Sequence, residues 1–207
     1  LGDVYKRQDY FSPDPARASP FPVGQIPLVF TGAMDYWPNA DAVLWFAAEV
    51  LPGLRARWPR LHFHIVGRSP TPAVLALAAD SSQGISVTGT VPDVRPYLQH
   101  AAAVVAPLRL ARGIQNKILE AMAMARPVVA ASVCTQVIEA EEGAELLSAE
   151  STEDYQRQLN ELLQSSERAE RIGASGRARV LASYSWDAHL ARLDRHLDDL
   201  SPGRIAA

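Results

Sequence analysis

From Leu28 onward, short apolar runs alternate with stretches of helical periodicity, and this alternation limits the fold more than any other feature of the chain. Leu28 to Thr31, Leu61 to Val66, Ile85 to Thr88, Ala102 to Ala106 and Pro127 to Ala131 read as strands. Between them Val43, Phe46, Ala47, Val50, Leu51, Leu54 and Trp58 recur at three and four, as on an amphipathic helix. Pro72 to Ala79, Val94 to His100 and Gln115 to Met124 also have helical character, and Glu145 to Leu147 is a candidate for a last short strand. Strands separated by helices form βαβ units, which require a parallel sheet. The run from Ala102 to Ala106 has no polar residue, which suits a strand covered on both faces. The expected class is α/β, a doubly wound parallel sheet with C-terminal helices.

After Glu150 the pattern is helical only. Ser151 and Asp154 have the spacing of a capping box before Tyr155, Leu159, Leu162 and Leu163. A second helix is expected over about Glu167 to Ser183. A third is expected to carry Trp186, Leu190, Leu193, Leu197 and Leu200, a stripe that needs a partner surface. With 48% apolar and 21% charged residues the 207-residue chain is not disordered, collagen-like or a coiled coil. A net charge of -3 disfavours nucleic acid as a partner. Cys134 is the sole cysteine, so no disulfide framework or four-cysteine zinc site is available. No run reaches the roughly 18 apolar residues of a membrane span, and no secretory signal opens the chain. A cytoplasmic location is expected. Residues 1–8 resemble the translated end of a transposase adapter from shotgun DNA libraries. They are expected to be a sequencing scar, with a natural N-terminal part missing. The proline-rich residues 9–27 then read as an interdomain connector, and 201–207 as a tail.

In open α/β sheets, ligands bind beyond the carboxyl ends of the strands. Those ends are Thr31-Gly32, Val66-Gly67-Arg68, Thr88-Gly89 and Pro107 to Gly113, three of them opening on a glycine that lets backbone approach a ligand. The segment Arg109 to Glu120 leads from a buried strand into a helix start and crowds Arg109, Arg112 and Lys117 there. A helix N-terminus disfavours cations by about 0.3–1 kcal/mol each, and a bound phosphate reverses that sign. The competing reading is a set of solvated charges, with Lys117 and Glu120 as an i,i+3 pair. Glu120, one turn on, could accept from two neighbouring ribose hydroxyls. Phosphate at the helix mouth and ribose one turn in describe a nucleotide. His62 and His64 lie on one strand face, where packing under a helix outweighs metal ligation; no metal is expected. Cys134 reads as structural, Trp45 and Trp58 as core, and Tyr36-Trp37 as a rim pair that could border the cleft.

Lys117 to Val129 (KILEAMAMARPVV) resembles the donor-site signature of family 4 glycosyltransferases of the GT-B fold. Phe30 to Met34, Phe63 to Gly67, Val87 to Val91 and Tyr184 to Trp186 resemble further landmarks of that family, so the resemblance covers about residues 10 to 200. Gly113 to Lys117, with Asp35 to Asn39, looks like a subgroup that accompanies bacterial exopolysaccharide and PEP-CTERM export systems. The resemblance implies a Rossmann-like domain, residues 28–183, that holds a nucleotide diphosphate sugar. Residues 184–200 would form a closing helix toward an absent acceptor domain. It also implies a retaining, metal-independent transferase without a cofactor. Its acceptor would be a saccharide or lipid-linked, with peripheral association at the inner membrane face as one setting. The implied catalytic residues are Lys117 and Arg112. The implied donor-binding residues are Gly32, Gly67, Arg68, Gly89, Val91, Arg109, Gly113, Ile114, Asn116, Lys117 and Glu120. Two departures stand out: Arg112 occupies the position of the first of two family glutamates, and the Arg and Lys that often follow the first glycine are absent. Diphosphate charge then falls to Lys117, helped by Arg112 or Arg109. Ala125, where glycine is common, reads as minor packing drift. The fragment alone is expected to be inactive. A sugar-nucleotide epimerase of the same architecture and a non-catalytic nucleotide-binding module are the rival functions.

Overall fold

The apolar runs become six strands: β1 (Ile26–Thr31), β2 (Leu61–Val66), β3 (Ile85–Val87), β4 (Ala103–Ala106), β5 (Val128–Ala131) and β6 (Leu147–Ala149). They form one parallel sheet in the order β3-β2-β1-β4-β5-β6. The computed structural model of the protein describes residues 10–185. β1 pairs with β2 from Ile26 opposite Leu61 to Thr31 opposite Val66, and with β4 through Leu28 opposite Ala103. Strand order therefore reverses between β1 and β4, and a crevice opens there at the carboxyl edge. Leu28, Val29, Phe30, Ala103, Val105, Val128 and Val129 are fully buried. The doubly wound α/β class stands.

Helices cover both faces. α1 (Trp37–Trp45) runs through a π-helical segment, Phe46–Val50, into α2 (Leu51–Arg57). Pro52 explains the wide turn. It has no N–H to donate and its ring would strike the carbonyl four residues back, so the ladder shifts and Leu51 donates to Phe46. α3 (Pro72–Ala76) and α4 (Arg95–Gln99) are short. α5 (Asn116–Ala123) follows β4, and α6 (Ser132–Thr135), which the periodicity did not reveal, follows β5. α7 (Thr152–Gln164) starts on the Ser151–Asp154 capping box, and α8 (Ser166–Tyr184) follows. The π segment and α2 pack with α7, Trp45 at the end of α1 meets Tyr155 of α7, and α5 packs with α8. Right-handed crossovers leaving β1 and β4 in opposite directions put these two pairs on opposite faces.

Several expectations change. The helix from Pro72 ends at Ala76, because Leu77, Ala78 and Ala79 donate three residues back in turns. The last strand is Leu147–Ala149, not 145–147; Leu147 and Ala149 are the buried alternation, while Glu145 turns to Arg179. Ala125 is not packing drift. It sits at φ +55° just beyond α5, with Ala125 N–H bonded to the Met122 carbonyl and Arg126 N–H to the Ala121 carbonyl. That is the Schellman stop, whose left-handed position favours glycine for backbone reasons.

The segment before β1 is strapped onto the domain. Phe11 is buried, and Gln99 exchanges bonds with Asp14 at 2.7 and 2.9 Å. Arg177 donates to the carbonyls of Phe11 and Ala123, so one guanidinium joins the strap, α5 and α8. His64 lies under this strap rather than under a helix, with His62 beside it. His64 meets the Phe21 ring at 4.4 Å and Gln25 at 3.2 Å, and His62 bonds Ser86 at 2.8 Å. Among the described residues no group of three metal-ligating side chains gathers, and no helix is long and apolar enough to cross a membrane. Residues 1–8, the Trp186–Leu200 stripe and the tail lie outside the described residues. Tyr184 belongs to α8, and its hydroxyl accepts from the Glu139 N–H at 2.7 Å.

Candidate functional site

A cleft of about 640 Å3 opens where the carboxyl ends of β1 and β2 face the start of α5. Its floor carries two glycines, and at Gly67 any side chain is excluded. A Cβ on Gly67 would lie 1.7 Å from the Gly32 carbonyl oxygen, so the two loops touch backbone to backbone. A Cβ on Gly32 would lie 2.7 Å from Asn39 Nδ2 and 3.0 Å from Lys117 Nζ. Small residues after both strands thus leave room for the lysine and for a ligand.

Lys117 enters from the first turn of α5. Its ammonium donates to Asn39 Oδ1 and stands 4.1 Å over the Phe30 ring. Asn39 is itself fixed by donation from Nδ2 to the Ala33 carbonyl at 2.9 Å. Burial disfavours the charged amine and pulls its pKa down to about 7; Cys134 and Glu120 push weakly the other way. The residue lines the cleft and keeps partial access to solvent. Lys117 is therefore a desolvated cation, not a solvated surface charge. No side chain caps the first turn of α5 and no acidic residue lies in it, so its leading N–H groups add positive potential. Glu120 lines the same cleft one turn on, opposite the buried Leu119 and Met122. Lys117 and Glu120 share one hollow.

Gly32, Gly67, Arg68, Val91, Ile114, Asn116, Lys117 and Glu120 all line this cleft. Arg68 is exposed, 3.9 Å from Asp35. Gly89 precedes the lining pair Thr90 and Val91 without lining the cleft itself. Gly113, at φ +64°, shapes the loop before Ile114, and Arg112 is exposed on that loop outside the cleft wall. Arg109 lies apart from these residues: its guanidinium is forked onto Asp41 and lines a neighbouring cleft. Tyr36 and Trp37 are exposed on the loop and helix start after β1.

Sequence reasoning missed Asn39 and saw Thr31 only as a strand end at the ligand edge. Asn39 closes the Asp35 to Asn39 stretch, but only the fold brings it to Lys117. Thr31 ends β1 in the cleft wall with its hydroxyl buried and without a hydrogen-bond partner among the described residues. Such a group needs water or a ligand.

Residues 25–165 match a family model described as Glycosyl transferases group 1. No curated protein matches the chain in sequence. Among solved structures, a glycosyltransferase from Rickettsia africae superposes with a TM-score of 0.72 at 18% identity, over 95% of this chain and 56% of its own. The HepE protein of Anabaena, solved with UDP and glucose, gives 0.65 at 13% identity, over 84% of this chain and 48% of its own. The C-terminal domain of LpcC, a glycosyl transferase group 1 family protein from Francisella tularensis, gives 0.67 at 18% identity, over 86% and 98%. The chain spans about half the length of the first two, and nearly all of that separate C-terminal domain. These likenesses establish the GT-B-type fold.

Proposed function

The chain belongs to the group 1 glycosyl transferases, and from that premise we propose that its cleft holds the diphosphate and ribose of a nucleotide sugar. The observation that carries the reading is Lys117: a cation desolvated beside an uncapped helix start, facing an open cleft. Stripping water from an ammonium is costly, and such perturbed groups cluster where a ligand binds. A diphosphate meets the ammonium and the helix N–H groups together. Glu120, one turn deeper, accepts from ribose hydroxyls, and Val91 and Arg68 border the remaining space.

As the glycosidic bond breaks, negative charge grows on the departing nucleoside diphosphate. Lys117 and the first turn of α5 are fixed in place to receive it, which is electrostatic catalysis without reorganisation. Arg112 sits on the loop beside the cleft and approaches the sugar end of the donor. A saccharide or lipid-linked acceptor is held by a domain outside this chain. The reaction retains anomeric configuration and needs no protein-bound metal, as the resemblance to family 4 and to exopolysaccharide enzymes implies. HepE, solved with UDP-glucose, makes UDP the first nucleotide to test.

Calorimetry with UDP, GDP, ADP and TDP tests the reading. One of them should bind the wild-type chain, and Glu120→Gln should weaken that nucleotide about tenfold. Failure of all four, or unchanged binding by both Glu120→Gln and Lys117→Met, overturns it.

A further inference from the structure

Asn39 stands in the first turn of α1, directly after Pro38, and is buried. Three bonds fix it. Its backbone N–H donates to the Tyr36 carbonyl at 2.9 Å, its Nδ2 donates to the Ala33 carbonyl at 2.9 Å, and its Oδ1 accepts from the Lys117 ammonium. A carbonyl can only accept and an ammonium can only donate, so the amide has one workable orientation. Turned over, it would set an NH2 against the ammonium and an oxygen against a carbonyl. Asn39 thus ties the loop after β1 to the start of α5.

The other surroundings of Lys117 offer weaker anchors. The Phe30 ring lies 4.1 Å from the ammonium, and Gly32 has no side chain to give. Two titratable groups act on it, Glu120 of α5 and Cys134 of α6. Burial pushes the Cys134 thiol up to about 11, so it stays neutral.

The chemistry of the anchor matters as much as its place. A carboxylate at position 39 would hold the ammonium as firmly but would cancel its charge. An incoming anion would then have to break an ion pair and face a fixed negative group. An apolar residue would leave the charge whole and the ammonium unaimed. The amide supplies a hydrogen bond without a counter-charge. Residues 33–39 contain no lysine or arginine, so this loop contributes aim rather than charge.

We propose that Asn39 is the positioning residue of the cleft: it points the Lys117 ammonium at the place of a bound anion and leaves its charge uncancelled until that anion arrives. The identity of the anion as a nucleoside diphosphate rests on the nucleotide reading; the role of Asn39 toward Lys117 does not.

The chain has two lysines, Lys6 and Lys117, so carbon-13 labelling at lysine Cε gives two signals, and Lys117→Met identifies the one to follow. Its titration in the free 207-residue chain reads the ammonium, and calorimetry with UDP at pH 7 reads the cleft. The wild-type midpoint is expected at about 7. Asn39→Asp should carry it upward by about one pH unit or more, because an opposite charge favours the ammonium. Asn39→Leu, close to Asn in volume, should carry it downward, because the ammonium loses an acceptor. Both variants should nevertheless weaken UDP by about tenfold or more. Opposite shifts of the midpoint with a shared loss of affinity are not what a merely loosened loop would give. An unchanged midpoint in the Asp variant, or wild-type UDP affinity in it, overturns the proposal; if the Leu variant does not fold, the Asp variant decides alone. If wild type binds no UDP, the nucleotide reading falls and inorganic pyrophosphate becomes the probe. A tenfold loss of pyrophosphate in Asn39→Asp then upholds Asn39, while equal affinity, or no binding of pyrophosphate by wild type, overturns it.

Discussion

Lys117 should make nucleotide binding depend on pH in a way that ordinary lysines do not. Burial holds its pKa at about 7 in the open cleft, against 10.5 for a free amine. A bound diphosphate supplies the opposite charge that favours ammonium and returns the pKa toward its usual range. The protonated form binds; above pH 7 the free cleft must therefore take up a proton as the nucleotide enters. Binding should weaken about tenfold per unit above pH 7, or roughly 50-fold from pH 7 to pH 9, about 2.3 kcal/mol. The second ionisation of a phosphate, near pH 6, is already complete over this span and adds little. Calorimetry with UDP in buffers of different ionisation enthalpy measures both quantities. Proton uptake should be about half a proton at pH 7 and near one at pH 8. Lys117→Met should flatten the profile and abolish the uptake. A flat wild-type profile, or the same slope in the Met variant, would refute the reasoning.

The same linkage has a folding counterpart. Lys117 binds its proton more tightly in the unfolded chain than in the empty cleft, so unliganded stability should rise with pH between about 7 and 10.5. Urea melts of Lys117→Met should lack that rise. Ala125→Gly should relieve the left-handed strain at the end of α5 and stabilise by about 1 kcal/mol, a Tm gain of roughly 2–4 °C; no gain in a thermal melt would contradict the Schellman assignment. Gly67→Ala should abolish UDP binding, because its Cβ would collide with the Gly32 carbonyl; retained affinity by calorimetry would show that the two loops do not touch. Arg109→Gln should leave UDP affinity within twofold, since its partner is Asp41; a tenfold loss would return Arg109 to the nucleotide cleft.

Periodicity and apolar runs alone determined the parallel α/β sheet, five of its strands, the capping box at Ser151 and the helix that carries Lys117 and Glu120. Those features are local: a buried parallel strand needs an unbroken apolar run, and a cap needs Ser and Asp three apart. Charge crowding at the start of α5 also marked the mouth of a cleft. Tertiary structure decided which cations are available. Arg109 and Lys117 are eight residues apart in one segment, yet one is forked onto Asp41 and the other lodged between Asn39 and Phe30. Nothing local distinguishes them, because the partners come from β1 and α1, some 68 to 87 positions away. The same holds for Ala125, whose positive φ is a property of how α5 stops.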